Sequence, residues 1–448
     1  MSQLGLAKSF RAYMKETSAG DSTRDETSSN DQQRDQESDI NASDLESNWW
    51  MTSDTVDAPN RVLRYLYPGY FESDAKAQIP LFEDESGITV TDEQTPAHAT
   101  GTRKTYTTLF DHDETQFDVG HMDVIWPTYF SENEWAEPVD DRENYTDDMI
   151  KVQVDTVTVD GELRAMPIHT DANVLYYRED KLEEYGYSAP PKTDSELVDI
   201  AQDILDRDDE IEHGFIWQGG QNEGLTIMWL NWLWGRNGDL VDGDDIVVDT
   251  KAGVDALRHA VNLIHVYDVT PESVTHSSTD KNRKTFQTGN TLFMRNWPYA
   301  VSRLDDGTPV SDDFSVAPLP VHEEHPDANN ACLGGWNLFI NPESDQKAAA
   351  QEFLEWMASE EVQRRLALDH SRLPVRKSVY DDEDVREEFE TLDVFEQALE
   401  QSQSRPSITQ YPRFSEIVFT ECNAALCQEK TPSQALSDAQ SKIDMEVN

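Results

Sequence analysis

Basic residues are scarce in this chain of 448 residues, since 36 Lys and Arg stand against 89 Asp and Glu and the formal net charge is −53. Contacts to phosphate groups need clustered Lys or Arg, so the sequence argues against nucleic acid and anionic membrane as partners. The acidic residues run along the whole chain, from Asp21 to Glu446. This distribution favours a surface adapted to concentrated salt over a local acidic tail or cation site.

Cysteine and long apolar runs are also scarce. Cys332, Cys422 and Cys427 have no spacing typical of a metal site, and whether Cys422 and Cys427 pair stays open. The segment His322-Glu-Glu-His325 is one residue short of the helical zinc-binding arrangement and predicts a polar loop. No apolar run reaches the roughly 18 residues of a membrane span. We therefore expect no metal, no cofactor and no spanning helix.

The segment Thr17–Asn48 is nearly devoid of large apolar residues. Ser, Thr, Asp, Glu and Gln dominate from Thr17 to Asn48, which predicts a disordered acidic tail over about residues 1–58. Met1–Asn48 shows neither a signal-peptide pattern nor a small-residue stretch that ends in cysteine. Two explanations stay open: a start codon upstream of Met1, or export or anchoring by a route that this sequence does not show.

The rest of the chain predicts an α/β protein with more than one lobe. Hydrophobic residues make up 37% of the sequence, enough to bury a core, and 448 residues are too many for a single ordinary core. Predicted strands alternate with predicted helices, which indicates sheets whose ligands bind at the carboxyl ends of strands. The predicted strands include Arg61–Leu66, Ile88–Thr91, Asp123–Trp126, Phe215–Gln218, Thr291–Asn296 and Gly335–Ile340.

The clearest predicted helix begins at Thr193, because Thr193-Asp-Ser-Glu196 is a capping box followed by apolar residues at helical spacing. A second helix, Glu223–Trp234, is apolar on most of its surface, so its tryptophans Trp229, Trp232 and Trp234 are expected mainly in the core. Other predicted helices are Glu72–Glu85, Arg103–Asp111, Val254–Tyr267 and Gln346–Leu368, the last with a break near Ser359.

Five segments place aromatic or forked side chains at the edges of apolar runs. A carboxylate can accept hydrogen bonds from two adjacent sugar hydroxyls, arginine donates along a planar fork, and an indole covers the apolar face of a pyranose. This combination predicts a sugar-binding cleft and contains no recognisable catalytic motif. The segments are Asp123–Pro127, His169–Asp180, Gly289–Pro298, Leu333–Leu338 and Arg405–Pro406.

In order and spacing, these segments resemble the extracellular solute-binding proteins (family 1) of carbohydrate ABC importers, and most closely the maltose/trehalose-binding branch. The resemblance runs from about Arg61 to the C terminus, and Val174–Asp180, Asn296–Pro298 and Leu373–Lys377 are specific in combination. With the acidic surface, it suggests a haloarchaeal-type member. It implies a two-lobed periplasmic-binding-protein-like fold, in which each lobe is a mixed or parallel sheet flanked by helices.

The resemblance also implies three chain crossings between the lobes, near Pro167–Thr170, Ala331–Gly334 and Pro374–Arg376. Hinges of this kind concentrate backbone rotation in a few residues, and the pair Gly334-Gly335 suits that role. The implied N-lobe is 59–168 with 335–373, and the implied C-lobe is 169–334 with 374–448.

Ligand contacts follow by motif position. Asp123, Asp171 and Arg405 match polar contacts, and Trp297 and Trp336 match stacking positions. In a chain with 89 acidic residues a single Asp is usually solvated, and a single Trp usually packs in a core. These assignments therefore rest on position within the family's motifs and not on local chemistry. The further candidates are Tyr70, Trp126, Tyr176 and Gly335.

Two departures leave the exact sugar open. The turn Tyr67-Pro-Gly-Tyr-Phe71 lacks the acidic ligand usual in this branch, although Tyr70 could offer a hydroxyl or a ring. His169 stands where an aromatic residue is usual.

The function implied by the resemblance is the capture of a mono- or oligosaccharide of maltose, trehalose or glucan type and its delivery to the permease subunits. Such a protein is not an enzyme, acts as a monomer outside the cell, and meets the membrane only through an anchor or the permease. Two alternatives stay open. A cytosolic carbohydrate-binding or regulatory module would fit the N-terminus, and a glycosidase also uses aromatics with paired carboxylates.

Overall fold

The computed structural model describes residues 61–111, 116–142, 144–243, 245–305 and 307–448. The predicted tail, including Thr17–Asn48, lies outside the described residues. Within the described ranges, no helix is long and apolar enough to cross a membrane.

Two mixed sheets contain most of the strands. The strands are β1 (Val62–Pro68), β2 (Thr89–Thr95), β3 (Val119–Asp123), β4 (Thr158–Val159), β5 (Glu162–Leu163), β6 (Met166–Ala172), β7 (Val174–Arg178), β8 (His213–Ile216), β9 (Val241–Asp242), β10 (Asp245–Ile246), β11 (Thr291–Asn296), β12 (Phe314–Ala317), β13 (Ala331–Ile340) and β14 (Ser402–Gln403).

The first sheet has the order β14-β13-β3-β1-β2, and β6 also pairs with β13. The long strand β13 is fully buried and pairs antiparallel with β6 on one side. It also pairs parallel with β14 at Ala331 and Cys332 and antiparallel with β3 from Trp336 to Ile340. The second sheet has the order β12-β7-β11-β8. Because β6 and β7 are separated by Asn173 alone, the chain passes from one sheet to the other there.

Helices flank both sheets. They are α1 (Glu72–Ser86), α2 (Ala99–Asp111), α3 (Pro127–Glu132), α4 (Lys151–Val157), α5 (Glu179–Glu184), α6 (Asp194–Leu205), α7 (Glu223–Trp234), α8 (Lys251–His265), α9 (Thr279–Phe286), α10 (Ala300–Asp305), α11 (Lys347–Met357), α12 (Glu360–His370), α13 (Lys377–Tyr380), α14 (Glu383–Glu388), α15 (Leu392–Glu400), α16 (Tyr411–Leu426) and α17 (Pro432–Glu446); 3₁₀ turns span Gly69–Phe71, Tyr145–Asp148 and Glu272–His276.

Local chemistry explains where several helices begin. The hydroxyl of Thr193 accepts from the backbone N–H of Glu196 at the start of α6, as the capping box predicts. The predicted break near Ser359 is confirmed, because α11 ends at Met357 and the hydroxyl of Ser359 caps the start of α12. The apolar helix α7 has the predicted bounds, and Trp229, Trp232 and Trp234 are confirmed as core residues.

One predicted strand is wrong. The segment Asp123–Trp126 is a turn after β3, in which the N–H of Trp126 donates to the carbonyl of Asp123 at 3.0 Å. Pro127 occupies the first turn of α3, where its missing N–H costs no helical hydrogen bond, so the chain turns here instead of extending the strand. The strand predicted over Phe215–Gln218 ends two residues earlier, and β13 begins four residues before the predicted Gly335.

The structure also tests the predictions for the His322–His325 loop and for the three cysteines. The loop predicted for His322–His325 is confirmed as irregular chain. Cys332, Cys422 and Cys427 are all free thiols, so Cys422 and Cys427 do not pair.

Candidate functional site

Strand register brings three of the predicted ligand residues to one edge of the first sheet. Trp336 on β13 pairs with Asp123, the last residue of β3. On the other side of β13, Gly334 pairs with Asp171 of β6. Segments that lie far apart in the sequence therefore place Asp123 and Asp171 on the two neighbours of β13, close to Trp336 along that strand.

The two glycines of β13 make this approach possible. A Cβ on Gly334 would lie 2.9 Å from the ring of Trp297 and 3.0 Å from the Cβ of Asp171, closer than side chains normally pack. Gly335 has a φ of 142°, which other residues rarely adopt, and a Cβ there would meet the carbonyl of His169 at 2.8 Å. The glycine pair therefore brings β13 against both the indole and β6.

The second sheet contributes Trp297, which directly follows β11. Its backbone N–H donates to the side-chain oxygen of Asn296 at 2.9 Å, and its backbone carbonyl accepts from the hydroxyl of Tyr176 at 2.7 Å. Two residues earlier on the same strand, the fully buried Arg295 places its guanidinium 4.3 Å from the centre of the Trp297 ring. The indole is thus held by its backbone and by a cation.

Arg405 lies between β14 and α16 and has a side chain that is only 2% exposed. Nη1 donates to Glu223 at 2.8 Å, and Nη2 lies 3.3 Å from the carbonyl of Leu333 and 3.5 Å from Oδ1 of Asp123. Glu223 also accepts from the hydroxyls of Tyr411 and Ser415. The guanidinium is therefore fixed between Asp123 at the end of β3 and Glu223 at the start of α7.

These side chains surround one cavity of about 720 Å³, which includes space open to solvent. Among the predicted ligand residues, those that line the cavity are Tyr70, Asp123, Asp171, Trp297, Gly335, Trp336 and Arg405.

Two other candidates lie behind this lining. Trp126 is 2% exposed and meets the ring of Trp336 edge-on at 5.5 Å between centroids. Tyr176 is fully buried and directs its hydroxyl to the backbone of Trp297. Trp126 therefore packs against Trp336 and Tyr176 bonds to the backbone of Trp297, and their assignment as direct ligand contacts stays a prediction.

Burial raises the pKa of Asp123 to about 7, with Arg405 opposing the shift and Glu223 adding to it. Asp171 is also buried, and its oxygen Oδ2 lies 3.5 Å from Nε2 of His169. Its other oxygen, Oδ1, has no hydrogen-bond partner among the described residues. The cavity therefore offers carboxylate acceptors that a hydroxylated ligand can satisfy.

Sequence reasoning missed several residues of the lining. The first turn of α7 contributes Asn222 and Glu223, the start of α2 contributes His98 and Thr100, and Tyr299 and Arg372 close another side. Tyr299 lies two residues after Trp297, so the stacking motif itself was a signal for it. Glu223 and Arg372 carried no such signal, because their partners Arg405 and Asp74 are 182 and 298 residues away.

Comparison with known proteins decides the family. The model of the bacterial extracellular solute-binding proteins matches residues 68–364. The chain belongs to this family. It is 31% identical over 376 residues to a probable ABC transporter-binding protein of Deinococcus radiodurans, which covers 80% of this chain and 87% of that protein. An arabinooligosaccharide-binding protein of Halalkalibacterium halodurans is 23% identical over 346 residues, which cover 71% of this chain and 72% of that protein.

A solved structure supports the same assignment. Maltose-bound MalE3 of T. maritima is 34% identical, with a TM-score of 0.79 over 86% of this chain and 99% of that chain. The predicted two-lobed α/β fold of the solute-binding proteins is thereby confirmed. The relatives are binding proteins of transporters and not enzymes, and the family is described as extracellular.

Proposed function

We propose that this chain is the substrate-binding component of an ABC sugar importer and that it binds a neutral saccharide in the cavity lined by both sheets. The family membership and the likeness to maltose-bound MalE3 support the first part. The observation that carries the second is the lining itself, because aromatic rings and charged, hydrogen-bonding groups of both sheets meet around a single space.

The aromatic part of the lining suits the apolar faces of a sugar ring. Trp336 comes from the first sheet and Trp297 from the end of β11 in the second. The rings of Tyr70 and Tyr299 lie with centroids 6.4 Å apart and a tilt of 30° between their planes, at another side of the cavity. Indole and phenol rings contribute contact area with little loss of rotamer freedom, as saccharide binding requires.

The charged part of the lining suits hydroxyl groups. Asp123, Asp171 and Glu223 supply carboxylates, and Arg372 and Arg405 supply guanidinium groups. Hydroxyl groups can donate to the carboxylates and accept from the guanidinium groups, so a neutral hydroxylated ligand can satisfy both, whereas a ligand carboxylate can only accept. We therefore propose a neutral mono- or disaccharide of the maltose or trehalose type as the ligand.

Contacts across the cavity support a closing mechanism. The N–H of Glu223 donates to the hydroxyl of Thr100 at 3.1 Å, and the hydroxyls of Thr128 and Ser407 are 3.1 Å apart. In the proposal, these pairs belong to opposite lobes, 59–168 with 335–373 and 169–334 with 374–448. A ligand that touches both lobes stabilises the closed form through its additional contacts there.

Delivery to permease subunits, an extracellular site of action and a monomeric state complete the proposal. The acidic excess, 89 acids against 36 basic residues, supports a salt-adapted surface of the haloarchaeal type.

Calorimetric titration with maltose, trehalose, maltotriose and glucose tests the proposal. We expect the protein to bind at least one of these sugars, and Asp171→Ala to weaken that binding by roughly one to two decades, since charge-assisted hydrogen bonds of about 1.5–3 kcal/mol are lost. Asp199→Ala, which removes the same charge from the exposed face of α6, is the matched control. Absence of binding to every sugar, or equal affinity in Asp171→Ala and the control, would contradict the proposal.

A further inference from the structure

We propose that Arg372 is a ligand-binding residue that selects an uncharged hydroxyl group, and that Asp74 is the residue that positions it. This inference rests on the sugar-binding function proposed above and concerns the side of the cavity where the sequence lacks the acidic ligand usual in the maltose/trehalose branch.

The guanidinium of Arg372 is held on two of its edges. Nε donates to Oδ1 of Asp74 at 2.6 Å, and Nη2 donates to Oδ2 of Asp74 at 3.1 Å and lies 3.3 Å from the carbonyl of Tyr70. The third nitrogen, Nη1, has no hydrogen-bond partner among the residues that the structure describes. Arg372 is 3% exposed and lines the cavity, so Nη1 is the donor left for a ligand.

Aromatic rings prevent the side chain from swinging away. The guanidinium carbon lies 4.4 Å from the ring centre of Phe71, in the turn after β1, and 5.4 Å from that of Tyr299, which follows β11. Such contacts stabilise a guanidinium whose charge is already paired. The forked bond to Asp74 and the two rings therefore fix the direction of Nη1.

The surrounding charges decide which ligand group this donor accepts. Asp74 already neutralises Arg372, so little attraction remains for an anion. Asp171 lines the same cavity and has an oxygen without a hydrogen-bond partner in the described part of the chain. A hydroxyl can accept from Arg372 while it donates to a carboxylate, whereas a ligand carboxylate can only accept and is repelled by Asp171. The arrangement therefore selects a hydroxyl over a carboxylate.

The first test is calorimetric titration of Arg372→Gln with maltose. We expect the affinity of the folded protein to fall about ten- to hundredfold, the loss typical of a charge-assisted hydrogen bond. Arg236→Gln is the matched control, since Arg236 forms an equally buried pair with Asp194 at 2.8 Å away from this cavity. We expect the control to lower the melting temperature and to keep the maltose affinity. Wild-type maltose affinity in Arg372→Gln would overturn the inference.

The second test separates positioning from mere support of the fold. Asp74→Asn leaves the guanidinium charge unpaired, so the affinity for glucuronate should rise about tenfold relative to that for glucose. A purely structural role for Asp74 would change both affinities together, and an unchanged ratio would overturn the inference. If Arg372→Gln does not fold, this ratio alone decides. Failure of the wild-type protein to bind any sugar would instead overturn the proposed function, and the inference with it.

Discussion

Replacing Gly334 with alanine should weaken sugar binding about ten- to hundredfold in a protein that still folds. The added Cβ would lie 2.9 and 3.1 Å from two ring atoms of Trp297 and 3.0 Å from the Cβ of Asp171. Carbon atoms normally pack about 3.5–4.0 Å apart, so these separations must widen by roughly 0.5–1 Å. Both neighbours line the cavity and are proposed to contact the ligand.

The magnitude follows from which neighbour can move. The Cβ of Asp171 is fixed by β6, which pairs with β13 at Gly334 itself, so the indole of Trp297 must give way. Extra methyl groups in tight sites cost about 1–3 kcal/mol. If the shifted indole loses its fit to the sugar by a similar amount, affinity falls about ten- to hundredfold.

Titration calorimetry and thermal unfolding measure the two effects separately. Gly186→Ala is the matched control, because this glycine has a φ of +89° and nothing lies within 4 Å of the added Cβ. It should lower the melting temperature through backbone strain and keep the affinity. Wild-type affinity in a normally folded Gly334→Ala protein would refute the reasoning.

Three further predictions concern pH, stacking and salt. The pKa of Asp123 is raised to about 7, so sugar affinity should decline as the pH falls below about 7 and this acceptor is protonated. Asp123→Asn should flatten this pH profile. Without sugar, the same raised pKa should make the fold lose stability as the pH rises towards 7. Trp297→Ala should cost at least tenfold in affinity, whereas the core substitution Trp232→Ala should lower the melting temperature and spare affinity; the opposite pattern would contradict these assignments. The melting temperature should rise from about 0.1 M to molar KCl, as the Debye length falls from roughly 10 to 3 Å, and a flat or falling series would contradict a salt-adapted surface.

Local patterns predicted much of the secondary structure. The helix Glu223–Trp234 and the strand Thr291–Asn296 have the predicted bounds, because an apolar run is flanked by a clear start or stop in each case. The strand predicted at Asp123 failed because an apolar Val-Ile-Trp run follows, although its residues form a turn. The early start of β13 could not be foreseen, since Gly334-Gly335 is a poor strand signal whose place is fixed by contacts to β6 and Trp297.

Some residues of the candidate site were predicted from the sequence and others were missed. Asp123, Asp171 and Trp336 were found through motif position, and the strand register that joins them is a property of the tertiary fold. Arg372 and Glu223 were missed because their importance comes from partners far away in the sequence. No local pattern distinguishes such a buried ion pair from the many solvated charges of this chain.

The same limit applies to the two candidates behind the lining. The motifs that contain Trp126 and Tyr176 also contain residues that line the cavity. The positions of these two side chains are instead determined by packing against Trp336 and by a hydrogen bond to the backbone of Trp297. Motif position therefore predicted the neighbourhood of these residues, and the structure supplies their orientation.

A crystal structure of the protein with maltose, or with whichever sugar of the panel binds, would show where the sugar lies. We expect a sugar ring between Trp297 and Trp336, with hydroxyls bonded to Asp171 and Arg405. A sugar bound elsewhere, such as in the groove beside Asp194, would contradict it.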